Sequence, residues 1–230
     1  MYSLLEVLQS IDNTLLKPDL KDKDYIKFCE ESKEQGFKAV CVLPYYVPLC
    51  VEQLKNSCVS VVTVIGFPLG ANSSEVKAFE TKKAFIDGAV EVDMVINIGA
   101  LKDKKTNVVY DEIKKVVDVA GTFSNKLVKV IIETSLLTDE EKILACKIAV
   151  EAGVDFVKTS TGFNGAGATV EDIKLINSVV REKAKVKASG GIRTWEKAEK
   201  LLLAGANRIG TSKGKLIIDQ YKEKEDNVHW

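Results

Sequence analysis

Short apolar runs, rich in β-branched residues, alternate along the chain with longer amphipathic, charged stretches at a spacing of about 20 to 30 residues. This alternation is typical of βα units around a parallel sheet. The predicted strands span residues 13–16, 38–43, 61–67, 91–97, 127–133, 154–159, 186–189 and 207–210. Eight parallel strands close naturally into a barrel, so the pattern predicts an α/β fold of the (β/α)8 type, the TIM barrel.

The stretches between the strands carry helix signals, namely acidic residues near the start or apolar residues at helical spacing. The clearest of them span residues 73–88, 138–152, 170–183 and 194–204. Gly88, Gly153 and Gly205 stand where these helices are expected to end, as helix-terminating glycines do. An open, doubly wound sheet is the alternative, but the glycine fingerprint of dinucleotide-binding sheets is missing from the sequence.

Composition indicates an ordinary soluble globular protein. The chain has 230 residues, 46% hydrophobic and 29% charged, and 33 basic residues balance 33 acidic ones. We therefore predict a single domain over residues 1–230 with no global charge footprint for nucleic acid. No apolar run approaches the roughly 18 residues of a membrane helix, and residues 1–10 do not resemble a signal peptide, so we expect a cytoplasmic protein without a membrane partner.

The cysteines and the histidine limit the kinds of catalytic and metal site that the chain can form. Five widely spaced cysteines without a C-x-x-C pair argue against disulfides and a zinc site. His229 is the single histidine and the penultimate residue, which fits a solvated tail. The sequence therefore predicts no histidine-based triad and no metal site built on several imidazoles.

Charged residues interrupt the predicted strand at 91–97. Its period of two places Val92 and Met94 on one face, and Glu91 and Asp93 on the other. Burying these carboxylates without partners would cost several kcal/mol, about 2 to 7 per polar group. We therefore expect them at a wet barrel mouth or paired with lysines from other strands.

Two lysines are the candidates for this pairing. Lys158 and Lys187 lie late in successive predicted strands, each followed by a loop that contains glycine. Because the C-terminal strand ends form the active-site face of a barrel, the two ammonium groups should be neighbours there. Taken alone, either lysine would be read as a solvated charge at a strand end.

Paired lysines make a reactive amine. A lysine with the ordinary pKa near 10.4 is neutral at pH 7 only about once in two thousand molecules. A second ammonium about 5 Å away, at an effective dielectric constant of roughly 20, opposes protonation by about 3 kcal/mol. One of the two lysines is therefore a candidate nucleophile for imine formation.

Three glycine-containing loops follow the sixth, seventh and eighth predicted strands. They bring together small residues, hydroxyl groups and backbone N–H groups that favour a phosphate ligand. The candidate contacts in these loops are Thr161, Gly162, Gly190, Gly191, Gly210 and Ser212. Any one loop fits simple turn chemistry, but barrels commonly bind phosphate after strands seven and eight.

Six motifs, in order over nearly the whole chain, resemble those of the deoxyribose-phosphate aldolases. They are residues 11–16 (IDNTLL), 40–42 (VCV), 64–70 (VIGFPLG), 91–93 (EVD), 156–163 (FVKTSTGF) and 186–193 (VKASGGIR). The resemblance implies a (β/α)8 barrel that cleaves 2-deoxy-D-ribose 5-phosphate reversibly into acetaldehyde and glyceraldehyde 3-phosphate, without metal or organic cofactor. It also implies a homodimer.

The resemblance assigns roles to residues. Lys158 is similar to the Schiff-base lysine, Lys187 to the lysine that favours its neutral form, and Asp93 to the carboxylate that moves protons through water. The remaining matches have supporting roles around the substrate and its phosphate: Asp12, Thr14, Cys41, Gly162, Gly191 and Ser212.

Three departures from the family pattern stand out. Asn13 replaces a common histidine, which bears on the hydrogen bonds around Asp12. The loop at residues 164–167 lacks a frequent threonine, and Lys213 stands where a small residue is usual. The tail after Leu216 matches no family terminus and receives no role.

Two other functions fit the same features. A phosphosugar isomerase or epimerase on this barrel would use carboxylates and usually no imine. A phosphosugar-binding protein would keep the loops without turnover. Borohydride trapping separates the first from an aldolase, and assay of released aldehyde separates the second.

Overall fold

The computed structural model describes residues 2–228, and within them eight parallel strands form one closed barrel in sequence order. The strands are β1 (Ile11–Leu15), β2 (Ala39–Val42), β3 (Ser60–Ile65), β4 (Glu91–Val95), β5 (Leu127–Ile131), β6 (Phe156–Lys158), β7 (Lys185–Ser189) and β8 (Arg208–Thr211). Parallel pairing of β1 with β8 closes the ring, through Asp12 opposite Gly210. The predicted (β/α)8 fold is confirmed.

Helices follow the strands on the outside of the barrel. They are α1 (Leu4–Ser10), α2 (Asp22–Gln35), α3 (Val47–Gln53), α4 (Ser74–Ile86), α5 (Ile98–Lys102), α6 (Thr106–Gly121), α7 (Asp139–Ala152), α8 (Val170–Val180), α9 (Trp195–Leu203) and α10 (Gly214–Val228). Residues 217–228 of the tail that received no role from sequence belong to α10, and His229 and Trp230 lie outside the described residues. Within residues 2–228, we find no helix long and apolar enough to cross a membrane.

Polar residues set the helix starts. Thr138 accepts a hydrogen bond from the backbone N–H of Glu141, whose carboxylate bonds back to the N–H of Thr138, which is a capping box. Thr169 and Thr194 cap α8 and α9 in the simpler way, by accepting one backbone N–H. These hydroxyls satisfy N–H groups that a helix start leaves without partners, so they fix where the helices begin near the strand ends.

Alternation along β4 divides the molecule into two interiors. Val92 and Met94 are fully buried in the large apolar layer between the barrel and its helices. Glu91 and Asp93 are equally buried but face the inside of the barrel, where they meet charged side chains from other strands. The outer layer therefore holds the fold together by apolar burial, and the barrel interior is partly ionic.

Three strands, β3, β4 and β5, end two residues earlier than the hydrophobic pattern predicts, each because of the backbone that follows it. Gly66 has φ +61°, which ends the β3 pairing at Ile65. Asn97 accepts a hydrogen bond from the N–H of Ala100 and so starts α5 instead of extending β4. Glu133 has φ +55°, which turns the chain away after β5.

A buried ion pair links α4 and α6 on the outer side of β4. The Nζ of Lys77 donates to Glu112 at 2.6 Å and to the carbonyl oxygen of Val95 at 2.9 Å. The Glu112 carboxylate also accepts the backbone N–H of Asn97 at 2.6 Å. Both charged side chains are at most 3% exposed, so each depends on the other for its charge.

We predict that Lys77→Met lowers the free energy of unfolding by about 3 to 5 kcal/mol, because it leaves the Glu112 carboxylate buried without its cation. Lys114→Met on α6 is the control, since Lys114 pairs with Asp118 at the exposed surface and the same change there should cost less than about 1 kcal/mol. Urea unfolding measures both variants. Equal losses in the two variants would contradict the assignment.

Candidate active site

A cavity of about 240 Å³ opens at the C-terminal ends of the strands. Its lining comes from the C-terminal ends of β1, β6, β7 and β8 and from the loops that follow them: Thr14, Leu15, Leu16, Lys17, Lys158, Thr161, Gly162, Phe163, Ser189, Gly190, Gly191, Ile192, Arg193, Gly210, Thr211 and Ser212. This is the face where barrel enzymes carry their chemistry.

Lys158 is the lysine of the barrel interior that reaches this cavity. It is the last residue of β6, its side chain is 4% exposed, and its Nζ donates to Oδ2 of Asp93 at 2.8 Å. A buried amine on a cavity wall, held by one hydrogen bond to a carboxylate, is placed to attack a bound electrophile.

Lys187 lies beside it but is fully buried. The two lysines are register partners in the β6–β7 ladder, and Lys187 also donates to Oδ2 of Asp93, at 2.7 Å. A second ion pair joins Lys187 to Asp12. Burial alone would lower the pKa of Lys187, but Asp12 and Asp93 outweigh it and raise that pKa above the ordinary lysine value. Lys187 is therefore a lasting cation next to the amine.

Asp93 is the carboxylate that these ammonium groups share. Besides Lys158 and Lys187 it accepts a hydrogen bond on Oδ1 from Lys129 of β5, at 2.9 Å. Burial would raise the pKa of Asp93, but the three lysines together hold it well below the ordinary aspartate value. The group is therefore ionised at neutral pH and is a base only toward a proton delivered directly to it or through one water.

The ionic cluster continues toward the lower end of the barrel. Arg208 of β8 donates from Nε to Asp12 at 2.8 Å and from Nη2 to Glu91 at 3.1 Å. Glu91 in turn pairs with Lys129. The expectation that buried carboxylates of β4 pair with cations from other strands is confirmed, although two of the cations, Lys129 and Arg208, were not predicted.

Asp12 and Cys41, expected to line the site, lie inside the barrel and outside the cavity lining. Both are fully buried. Burial would raise the pKa of Asp12, but Lys187 and Arg208 hold it well below the ordinary value. Burial, with the nearby Asp93, raises the pKa of the Cys41 thiol to about 11, so Cys41 is a neutral packing residue at physiological pH.

The predicted phosphate loops meet on one side of the cavity. A Cβ atom at Gly167 would lie 1.8 Å from the carbonyl oxygen of Gly190, so only glycine lets the loops after β6 and β7 pack together. The N–H of Ala168 donates to the oxygen of Ser189 across the same contact, at 3.0 Å. Six predicted contacts all line the cavity: Thr161, Gly162, Gly190, Gly191, Gly210 and Ser212.

Glu133 holds the loop after β6 in place. Its fully buried carboxylate accepts the backbone N–H of Thr161 at 3.2 Å, the hydroxyl of Thr161, and the side-chain amide of Asn164 at 3.2 Å. Sequence reasoning missed this residue. A carboxylate directly after a buried strand was the signal that could have found it, but its partner lies 28 residues further along the chain.

Two cavity cations were also missed. Lys17 follows β1 and Arg193 follows β7, and both line the cavity near the predicted phosphate loops. An exposed lysine or arginine in a loop gives no signal of its own in a chain with 33 basic residues. Only closure of the barrel brings them to the same mouth.

Two of the three departures from the family pattern, Asn13 and Lys213, lie outside the cavity lining, whereas the loop at residues 164–167 packs against Gly190 beside the cavity. Asn13 points outward and donates to the hydroxyl of Ser32 at 3.0 Å, on the opposite face of β1 from Asp12. Lys213 is exposed and lies outside the cavity lining. Neither side chain touches the ion pairs of Asp12.

A parallel barrel with a lysine that reaches the cavity beside a buried carboxylate, and with glycine-containing loops on the cavity wall, is typical of an enzyme of the (β/α)8 class. The chain belongs to the DeoC/LacD family of aldolases, whose family model matches residues 6–217. This decides against a phosphosugar isomerase on the same barrel.

Named relatives are similar over nearly their whole length. The chain is 56% identical to a deoxyribose-phosphate aldolase of Caldicellulosiruptor saccharolyticus, covering 94% of this chain and 98% of the relative. It is 57% identical to a deoxyribose-phosphate aldolase of Thermococcus kodakarensis, covering 93% and 96%. A solved deoxyribose phosphate aldolase of Aeropyrum pernix, described as tetrameric, superposes with a TM-score of 0.90 at 32% identity, covering 96% of this chain and 93% of that one.

Proposed function

We propose that the protein cleaves 2-deoxy-D-ribose 5-phosphate reversibly into acetaldehyde and D-glyceraldehyde 3-phosphate through an imine on Lys158, in deoxyribose phosphate catabolism. The observation that carries this proposal is the position of Lys158, which lines the cavity while contacting Asp93. The names of relatives above 50% identity support the substrate.

The first step is addition of the neutral amine of Lys158 to C1 of the open-chain sugar. The carbinolamine that forms loses its hydroxyl group as water and becomes a protonated imine. Asp93, bonded to the same nitrogen, accepts protons from it and returns them, directly or through one water.

Cleavage of the C2–C3 bond follows. The C3 hydroxyl gives its proton to Asp93, directly or through one water, and its oxygen becomes the aldehyde of glyceraldehyde 3-phosphate. The electrons of the C2–C3 bond move into the imine to give an enamine. Protonation of the enamine at C2 and hydrolysis of the imine release acetaldehyde and regenerate Lys158. The lasting positive charge of Lys187 next to Lys158 opposes a second ammonium there.

The phosphate occupies the other side of the cavity. Backbone N–H groups of Gly190 and Gly191 and the hydroxyl of Ser212 supply donors there, and Arg193 and Lys17 supply positive charge. Holding the phosphate fixes C1 of the sugar relative to Lys158.

The central test combines turnover with trapping. We expect the wild type to release glyceraldehyde 3-phosphate from 2-deoxy-D-ribose 5-phosphate, measured by a coupled NADH assay, and borohydride to attach the substrate carbons to Lys158. Lys158→Ala should lose turnover by a factor of about 10⁴ or more, because it removes the amine that contacts Asp93 and forms the imine. A folded wild type without turnover would contradict the proposal and favour a binding protein.

A negative charge introduced where the phosphate is proposed to bind tests the orientation of the substrate in the cavity. We expect Ser212→Glu to raise KM for 2-deoxy-D-ribose 5-phosphate at least about tenfold, since a carboxylate then faces the phosphate. Activity on unphosphorylated 2-deoxy-D-ribose should stay near that of the wild type. Lys213→Gln changes the net charge by the same amount, one unit toward negative, at a residue outside the cavity lining and is the control. Equal KM changes in both variants would contradict this orientation.

We further propose that residues 1–230 form one domain that works in the cytoplasm as a homodimer. Tyr45 and Phe79, 83% and 70% exposed, share a shallow apolar surface beside α3 and α4 that a second copy would cover. We expect light scattering to give the mass of two chains for the wild type and of one for Phe79→Glu. Leu203→Glu, at an exposed apolar position on α9, is the control. A monomeric wild type would contradict the dimer.

A further inference from the structure

The charged side chains inside the barrel form a closed ring of alternating sign. Each member contacts one carboxylate or cation on either side, and the ring runs from Glu91 to Lys129, Asp93, Lys187, Asp12, Arg208 and back to Glu91. All six side chains are at most 6% exposed. Five strands contribute to it, so it exists only in the closed barrel.

The ring is electrically balanced without Lys158. Its three carboxylates face its three cations, and Lys158 is attached from outside through Oδ2 of Asp93, an oxygen that Lys187 already occupies. A proton on Lys158 is therefore the excess charge of the cluster. In a buried setting an excess charge is the one that is given up most readily.

We propose that Glu91 and Arg208, which do not reach the cavity, are positioning residues that close this ring and thereby keep Lys158 in its neutral, nucleophilic form. The proposal rests on the imine function of Lys158 argued above. Glu91 supplies one of the three negative charges of the ring. Arg208 donates hydrogen bonds to Oδ1 of Asp12, the oxygen that Lys187 does not contact, and to Glu91. Without Arg208, two carboxylates would be left short of a cation.

Other groups around Lys158 lie outside the ring and are the same in every variant compared below. The Cys41 thiol of β2 is neutral because burial raises its pKa to about 11. Glu133, after β5, is a further buried carboxylate, but its hydrogen bonds go to the neutral donors of Thr161 and Asn164 and not to the ring. At the cavity wall, Lys17 and Arg193 face solvent as well as the cavity and are screened by it.

Opposite charge changes at the two positions test the proposal. Glu91→Gln leaves the ring with one extra positive charge, and Arg208→Gln leaves it with one extra negative charge. The probe is acetaldehyde with cyanoborohydride, and the readout is the rate at which Lys158 is reductively alkylated, followed by mass spectrometry over the pH range in which each variant stays folded. Acetaldehyde carries no phosphate, so titration of the substrate does not contribute.

We expect the acid limb of this rate profile to move to lower pH in Glu91→Gln and to higher pH in Arg208→Gln. The shift should be about one pH unit each way, a tenfold change in rate on the acid side, for charges about 10 Å apart at an effective dielectric constant of roughly 20. The double variant Glu91→Gln/Arg208→Gln restores the balance and should return the limb close to its wild-type position.

Shifts of the same sign in both single variants, or a uniform loss of rate with no shift, would overturn the proposal. A merely structural role predicts that uniform loss. If a single variant fails to fold, Arg208→Lys and Glu91→Asp, which keep the charge, should leave the limb in place, and the charge-neutral double variant should as well. A wild type that is not alkylated at Lys158 would instead contradict the proposed function.

Discussion

Asp93 is shared by three ammonium groups that reach it from three other strands, and the interior of the barrel is organised around that contact. Taking any of these charges out of water is costly, and the cost is met only while every partner is in place. Because the partners come from β5, β6 and β7, the cluster can form only when the barrel closes. The same closure brings Lys158 to the cavity floor and the glycine loops to its wall.

Lys158 and Lys187 have different roles because they differ in burial and in their carboxylate partners. Lys187 has two carboxylates and no exposure, so it keeps its proton. Lys158 has a share of one carboxylate and an open side. Simple repulsion between two lysines, the argument available from sequence, is therefore incomplete. The carboxylates decide which of the two amines stays charged and which attacks the substrate.

The fold and part of the site could be predicted from the sequence, because the signals for them lie within short stretches of the chain. Periods of two and of 3.6 residues mark strands and helices, and inward-facing Asp93 stood out as a charge within an apolar strand. Lys129 gives the same signal in the middle of β5, but its partners are set by pairing across the barrel. Arg208 and Glu133 are at strand limits, where only the closed structure shows which way the chain turns.

Of the two neighbouring lysines, we propose Lys158 as the amine that attacks the substrate, and Lys187 as the one that stays charged. A nitrogen NMR titration of the folded wild type with labelled lysines, assigned by single lysine substitutions, measures this directly. We expect the signal of Lys158 to change to that of a neutral amine while Lys187 still gives the signal of an ammonium group. Loss of the proton from Lys187 before Lys158 would contradict it.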